Sequence, residues 1–421
     1  MKNFFNINLL TRIYYKAFFY ISFLFLLPFL LIFLTPFKNK IKFVKIRRDV
    51  IGNSIEQLYL YLNIYKKNKY HYFFFDDYFI CNEYFNEICK KNFKFSFFGK
   101  TIFYLSAKIK LFDQFILKMP RWHTAYPLKF NPKNFKVPKE FKFSNIQNDV
   151  GKNFLTSLGV KKNQKIICLM IRDGNYKKKY SNNSKKNWNY HNYRNADLDT
   201  YLKTIKYLNK KGYFVIRMGK DAEKSLTYKH PMYFDYARSK VRSDFLDFWI
   251  ISKCYFSIAT GTGIDELCSI YQCPVVDTNM LSYLGIRSFR TNNITIFKKI
   301  KYRNNSKYLS LTESIKNLLF SDVHLLETKF LKDFIYQNNS DNEILNAVKE
   351  MEKLLSKTYK AKPISIKQKK FWKIYESSFR YKRLYGENAY NYSKICYNNK
   401  YLHNNTPLSE KFINDNKWLL N

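Results

Sequence analysis

Arginine is scarce in this sequence, so its placement carries information. Lysines outnumber arginines 60 to 14, yet eight of the 14 arginines fall between positions 172 and 303. Four of them sit at the ends of short apolar runs: Arg172 after "KIICLMI", Arg217 in "YFVIRM", and Arg238 and Arg242 after "PMYFDYA". A guanidinium is a planar fork that grips a phosphate through two parallel hydrogen bonds, which a lysine ammonium cannot do. A second feature of the same kind is "SIATGTGIDELC", residues 257 to 268. Here Thr260, Gly261, Thr262 and Gly263 separate an apolar run from a segment that reads as a helix. Free N–H groups at a helix start, approachable because glycine carries no side chain, form an anion seat, and the threonine hydroxyls add donors. A dinucleotide fingerprint is not completed, because "GTGIDE" has Glu266 where the last glycine belongs. The chemistry indicated is therefore the holding of a phosphate or diphosphate, with Arg172, Arg217, Arg242 and the glycine turn as its donors.

Carboxylates near these positions are the candidate general bases: Asp173 first, beside Arg172, and Asp49 second, in the turn "RRDVIG". Two further acidic pairs, Asp197 with Asp199 and Asp76 with Asp77, could be read as metal ligands. The first fits the start of a helix better and the second the end of a strand. Six scattered histidines show no metal-ligand spacing. Neither a metal nor another cofactor is expected.

The elements that must position these groups follow from hydrophobic patterning. Residues 41 to 75 read as a strand (41–46), a turn through Asp49 and Gly52, a helix from about Ser54, and a second strand (71–75), one βαβ unit. From Lys165 onward strands "KIICLMI", "YFVIRM", "PMYFDYA", "YFSIA" and "PVVDT" alternate with helices "DLDTYLKTIKYLNKKG", "SDFLDFWIISKC" and "GIDELCSIYQ". That rhythm predicts a doubly wound α/β domain, whose ligands bind beyond the carboxyl ends of its strands. The polar run from 175 to 195 is then a long loop at the ligand end, placed to act as a flap. Expected boundaries are an N-terminal Rossmann-like domain over 41–150, a C-terminal one over 151–325, and a helical tail over 326–421.

Residues 17 to 37 contain 21 positions without a charge. As a helix they would span roughly 31 Å, about the thickness of a bilayer's hydrocarbon core. No small-x-small cleavage site follows, so a membrane helix or anchor is expected rather than a signal peptide. Lys38, Lys40, Lys42, Lys45, Arg47 and Arg48 follow it, against Lys2, Arg12 and Lys16 before it, which places the bulk of the chain on the cytoplasmic side. The net charge of +42 is spread along the whole chain as lysine rather than gathered on one element, so nucleic acid is not an expected partner. An anionic membrane surface is, at about 1 kcal/mol per nearby lysine. Seven cysteines form no C-x-x-C pair, and several lie in apolar runs, as buried thiols in a reducing compartment would.

Taken in order, R-D-x-x-Y (Arg172, Asp173, Tyr176), Y-R-N-x-D (Tyr193 to Asp197), V-I-R-M-G (Val215 to Gly219), D-Y-A (Asp235 to Ala237), R-S-D-F (Arg242 to Phe245) and T-G-T-G resemble a family of bacterial glycosyltransferases. The early R-x-x-x-I-G (Arg47 to Gly52) and the closing "NDNKWLL" resemble it too. The architecture implied is similar to the GT-B glycosyltransferases, two Rossmann-like domains facing a cleft, with distant similarity to heptosyltransferases and to fucosyltransferases that use GDP-fucose. The resemblance implies a nucleotide-sugar donor held by the C-terminal domain and a glycan or lipid-linked acceptor, in surface polysaccharide synthesis at the cytoplasmic face of a bacterial inner membrane. It also adds Tyr176, Arg194, Gly219 and Ser243 to the donor-binding set. Two rivals remain: another nucleotide-dependent α/β enzyme, though neither a Walker loop nor G-x-G-x-x-G is present, and a non-catalytic α/β protein that binds at the membrane surface.

Overall fold

The computed structural model describes residues 32, 35–65, 68–76, 79–119, 136–180, 189–281, 283, 286, 290, 292–305, 307–317, 333–360, 363–377 and 408–421. Apart from Ile32 and a short 3-10 turn at Thr35–Phe37, the uncharged segment 17–37 lies outside them. Among the described residues no helix is long and apolar enough to cross a membrane. Asp77 and positions 181–188 of the expected flap also lie outside.

The chain divides into two compact units. The first comprises Met1–Ile46, Tyr65–Asp76 and Lys90–Met119. Its sheet has the order β2-β1-β3, all parallel, from Lys42–Ile46 (β1), His71–Phe75 (β2) and Ile116–Leu117 (β3). Phe43 and Phe74 from this sheet are buried with Ile102 and Leu105 of the helix Gly99–Ser106 and with Phe112 and Phe115. Gly99 is pressed onto Phe74: a Cβ there would stand 2.8 Å from the ring.

The second unit comprises Arg47–Ile64, Asp77–Cys89 and Pro120–Asn421. Its core is a six-stranded sheet of Ile166–Met170 (β4), Phe214–Arg217 (β5), Tyr233–Phe234 (β6), Phe256–Ala259 (β7), Val275–Met280 (β8) and Asn293–Phe297 (β9). The strand order is β6-β5-β4-β7-β8-β9 and every pairing is parallel. Residues of β4, β5, β7, β8 and β9 are buried throughout, as strands covered on both faces must be. Counted from β4, this is the doubly wound order 3-2-1-4-5-6, with its topological switch between β4 and β7. The expected doubly wound fold is present.

Local chemistry sets the helix ends. Ser243 caps Asp244–Lys253 by accepting from the Leu246 N–H (3.1 Å), and Ser144 with Gln147 makes a capping box at Asn145–Ser157. Asp197 accepts from the Asp199 N–H, and both carboxylates meet Lys224, so this acidic pair serves a helix start, as its position suggested. The helices Asn145–Ser157 and Asp244–Lys253 meet at Gly151, where a Cβ would stand 2.1 Å from the Trp249 ring.

Three expectations on the elements need correction. The helix expected from about Ser54 is Ile51–Tyr65, so Gly52 belongs to its first turn and not to a turn before it. The reason is close backbone approach: a Cβ on Gly52 would stand 2.7 Å from the Gly263 Cα. The strands β9 and β10 (Lys299–Tyr302), not anticipated, continue the chain after β8. The tail is not wholly helical either. Phe334–Gln337 (β11) pairs antiparallel with β10, because its alternating aromatic and aliphatic residues complete a small apolar cluster with Ile300 and Leu309. Helices Asp341–Leu354, Ile366–Ser377 and Glu410–Asp415 make up much of the rest.

Candidate anion-binding site

Beyond the carboxyl ends of β4 and β7, at the switch in strand order, the second unit holds a cleft of ≈ 770 Å³. The two strand ends are tied together there. The Arg172 N–H donates to Thr260 Oγ1 (2.8 Å), and the Thr260 N–H donates to the Met170 carbonyl (3.1 Å). The chain then turns through Gly261 at φ +67°, a conformation glycine adopts without strain, and continues into a helical turn at Ile264–Glu266. Opposite it stands the start of the helix Ile51–Tyr65, packed backbone to backbone on Gly263 through Gly52. Two glycine turns thus form adjacent walls of one cleft.

Three arginines line this cleft: Arg172, Arg194 and Arg47, the last forked onto Asp49. Burial, and then the neighbouring Arg194 charge, push the Arg172 pKa down to about 10. Its Nε is buried without a hydrogen-bond partner, and so is Thr262 Oγ1 beside it. Buried polar atoms in folded proteins are nearly always paired, so two unpaired ones in the wall of one cleft stand out. Two like charges in a partly dry pocket raise the free energy of the empty site and favour an anion that bridges them.

Arg194 is held in place from behind. The Ala196 N–H donates to the Arg172 carbonyl (3.1 Å), and Lys298 Nζ, buried where β9 meets β10, donates to the carbonyls of Tyr193 (2.8 Å) and Asn195 (2.5 Å). Its ammonium clamps the two peptide groups that flank Arg194.

The acidic candidates both line the cleft but are engaged differently. Asp173 accepts one backbone N–H on each oxygen, from Asn175 (3.1 Å) and Glu223 (3.0 Å), and so joins two loops. Asp49 faces a side chain instead, the Arg47 fork at 3.0 and 2.7 Å. Tyr176 and Tyr180 line the cleft with ring centroids 5.0 Å apart, and Phe79 lies 6.1 Å from Tyr180. Lys220 stands over the Tyr180 ring at 5.1 Å.

Of the residues singled out from sequence, Arg172, Asp173, Tyr176, Arg194, Gly219, Gly261, Thr262, Gly263 and Asp49 line this cleft. Thr260 lies just beneath, buried, as the bridge between strands. Others do not line it. Arg217 is 1% exposed and points into the sheet, paired with Asp235 (3.0 Å) and within 3.9 Å of Asp173. Arg242 donates to the Gly219 carbonyl (3.2 Å) and to Asp244 (2.9 Å) and Asp247, fixing the loop before a helix. Ser243 is that helix's cap. Arg238 likewise holds the Ala222 carbonyl (2.9 Å) and that of Glu223.

Sequence reasoning missed Lys298 and Arg290, and named Arg47 in the R-x-x-x-I-G motif without placing it at the site. Arg290 is buried beneath the glycine turn, donating to the Asp265 carbonyl (2.8 Å) and to Ser269 Oγ (3.0 Å), with Asp277 at 3.5 Å and Glu266 at 3.7 Å. The scarcity of arginine was the signal that could have found it. Among the described residues no group of His, Cys, Asp or Glu is arranged to hold a metal ion. Cys254, Cys268 and Cys273 surround Ser257 inside the unit, where burial pushes their thiol pKa values far up.

No protein-family model matches the chain, and no curated protein does. Among solved structures it resembles a glycosyl transferase family 9 protein from Veillonella parvula, with a TM-score of 0.40 and 11% identity over 74% of this chain and 97% of that one. It also resembles the ADP-heptose lipopolysaccharide heptosyltransferase II of E. coli, with a TM-score of 0.32 and 9% identity over 56% of this chain and 84% of that one. The resemblance to glycosyltransferases is distant. At such TM-scores the chemistry of this chain must rest on its own residues.

Proposed function

We propose that the chain is a glycosyltransferase that moves a sugar from a nucleotide-sugar donor to a glycan or lipid-linked acceptor. The observation that carries this reading is the pair Arg172 and Arg194 at the strand-order switch, beside the glycine turn. Such a seat fits a diphosphate. That the diphosphate belongs to a sugar nucleotide is supported by the ordered motifs from Arg172 to Gly263. The reading carries with it a GT-B-like pair of Rossmann-like domains, membrane attachment through residues 17–37, and work at the cytoplasmic face in surface polysaccharide synthesis.

In the reaction, the bond from the sugar's anomeric carbon to the diphosphate oxygen breaks, and its electron pair leaves on the diphosphate. A bond from that carbon to an acceptor hydroxyl oxygen forms, and the hydroxyl proton passes to a carboxylate. Charge growing on the leaving diphosphate is stabilised by donors already in place, which is where such sites gain most of their rate. Arg172, Arg194 and the turn at Gly261–Gly263 supply those donors. Asp49 is the better placed base, because its partner is a side chain that substrate can displace, whereas Asp173 holds two backbone loops together.

The test is a thermal-shift panel of UDP-, GDP-, ADP- and CMP-sugars on the full chain. Stabilisation by one nucleotide family is expected. A folded protein that none of them stabilises would sink the reading and leave the non-catalytic alternative.

A further inference from the structure

The first unit carries an unusual surface. Among the described residues, nine of the fourteen exposed large apolar side chains belong to it, although it is the shorter unit. Six of the nine fall within one stretch: Phe95, Phe97, Phe98, Tyr104, Ile109 and Leu111. Phe97 is 92% exposed, so it is not an aromatic that simply reaches the rim of a core. Burial of Ile102 and Leu105 seats one side of the helix Gly99–Ser106 on the sheet, and the close fit of Gly99 on Phe74 fixes its start. Phe97 and Phe98 precede that fixed point, with ring centroids 5.8 Å apart, and stay exposed.

Charge accompanies the aromatics. Residues 90 to 119 contain seven lysines and one acidic residue, Asp113. Lys94, Lys108 and Lys110 are exposed among the apolar side chains. Exposed Phe37, Lys38 and Lys40 lie in the same unit, at the point where the uncharged stretch that begins at Ala17 ends. Single exposed apolar residues need no explanation, but a dense group of aromatics interleaved with lysines does. Aromatic rings favour the headgroup level of a bilayer, and lysines on the same surface are drawn to anionic lipid.

We infer that the surface formed by residues 95–111 docks on an anionic lipid bilayer, in the same unit that carries the end of the apolar N-terminal segment. This occupant is chosen over a protein because seven lysines against one acidic residue accompany the aromatic stretch in residues 90–119, although Lys100 and Tyr104 within it both engage Asp76. The inference rests on membrane attachment and not on sugar transfer, so either can fail while the other stands.

An environment-sensitive fluorophore tests it, attached to the full chain at Phe97→Cys and, separately, at Val241→Cys, an exposed position in the second unit. Wild-type protein treated with the same reagent supplies the background. With vesicles of phosphatidylcholine and phosphatidylglycerol, the label at 97 is expected to shift to the blue and brighten about threefold or more as it leaves water. The label at 241 is expected to stay unchanged. No shift at 97, or equal shifts at both sites, would overturn the inference. So would an equal response to phosphatidylcholine alone, which removes the role of the lysines. A blue-shifted label at 97 before vesicles are added would show the chain's own apolar segment covering the surface, and would overturn it too.

Discussion

Arg172 holds a positive charge in a place where burial and a second arginine both oppose it. A protein that only had to fold would gain by losing one of these charges, which is the usual mark of a site kept for a ligand. Arg194→Gln is therefore expected to leave the melting temperature of the empty protein unchanged or slightly higher. The same substitution should weaken nucleotide-sugar binding by about tenfold to a hundredfold, the worth of one charge-assisted hydrogen bond pair. Calorimetry and thermal melts on one preparation read both effects, and a variant that binds donor normally would remove Arg194 from the site. The two aspartates separate in the same way. Asp49→Asn should lower kcat steeply with little change in melting temperature. Asp173→Asn should instead lower stability, by about 1–3 kcal/mol, because one of its two N–H partners loses its acceptor. The reverse pattern would exchange their roles. At this scale the sequence was readable where residue type was rare: arginine scarcity pointed to Arg172. It could not tell that Arg217, at the end of β5, is buried while Arg194, at the end of the 3-10 helix Asn189–Arg194, lines the cleft, because side-chain direction depends on neighbours far along the chain.

The elements behave as patterning predicts where burial is complete on both faces and less so where a partner lies far along the chain. β4, β5, β7 and β8 were legible as apolar runs. β9 and β10 were not, since Asn293, Thr295 and Lys298 are polar residues inside the fold, the Asn293 amide donating to Asp277 and Thr295 and the Lys298 ammonium to the carbonyls of Tyr193 and Asn195. Lys298 provides a prediction with a sign. Burial pushes its pKa down to about 8, below the unfolded value near 10.4. Between those two values the unfolded chain binds more protons than the folded one, so this group adds stability as pH rises through that window. The melting temperature of wild type relative to Lys298→Met should therefore be higher at about pH 9.5 than at about pH 7. A flat difference would mean the ammonium keeps its proton. At either pH the variant should raise the donor KM, since the carbonyls beside Arg194 lose their clamp. Gly151 offers a contest between two magnitudes. Replacing a helical glycine by alanine ordinarily stabilises by about 1 kcal/mol. Here the new methyl would meet the Trp249 ring, and overpacking of that kind costs about 1–3 kcal/mol. Gly151→Ala is expected to destabilise on chemical denaturation, and a stabilised variant would show that Trp249 moves freely.

Across the whole molecule, the charge of +42 and the cleft obey different electrostatics. Lysines spread over an exposed surface act through solvent, where the Debye length falls from about 10 Å at 0.1 M salt to about 3 Å at 1 M. Arg172 and Arg194 act at contact distance in a partly buried pocket and are screened far less. Retention on a heparin column is thus expected to vanish over a salt range in which nucleotide-sugar stabilisation persists. Parallel loss of both would place the donor on the open surface. The doubly wound order of the second unit was predictable from alternating runs, whereas the division into units was not fully so, because residues 47–64 and 77–89 join the second unit from within the N-terminal stretch. Those segments bring Gly52 to Gly263, and that contact has a consequence for descent. Two positions far apart in the chain form one backbone seam: a Cβ on Gly52 would stand 2.7 Å from the Gly263 Cα, and one on Gly263 would stand 3.1 Å from the Gly52 nitrogen. A lineage that altered Gly52 would have to move the backbone at Gly263 as well, so a change at one position constrains the other. The glycines of R-x-x-x-I-G and T-G-T-G are then to be read together, as the two halves of one contact.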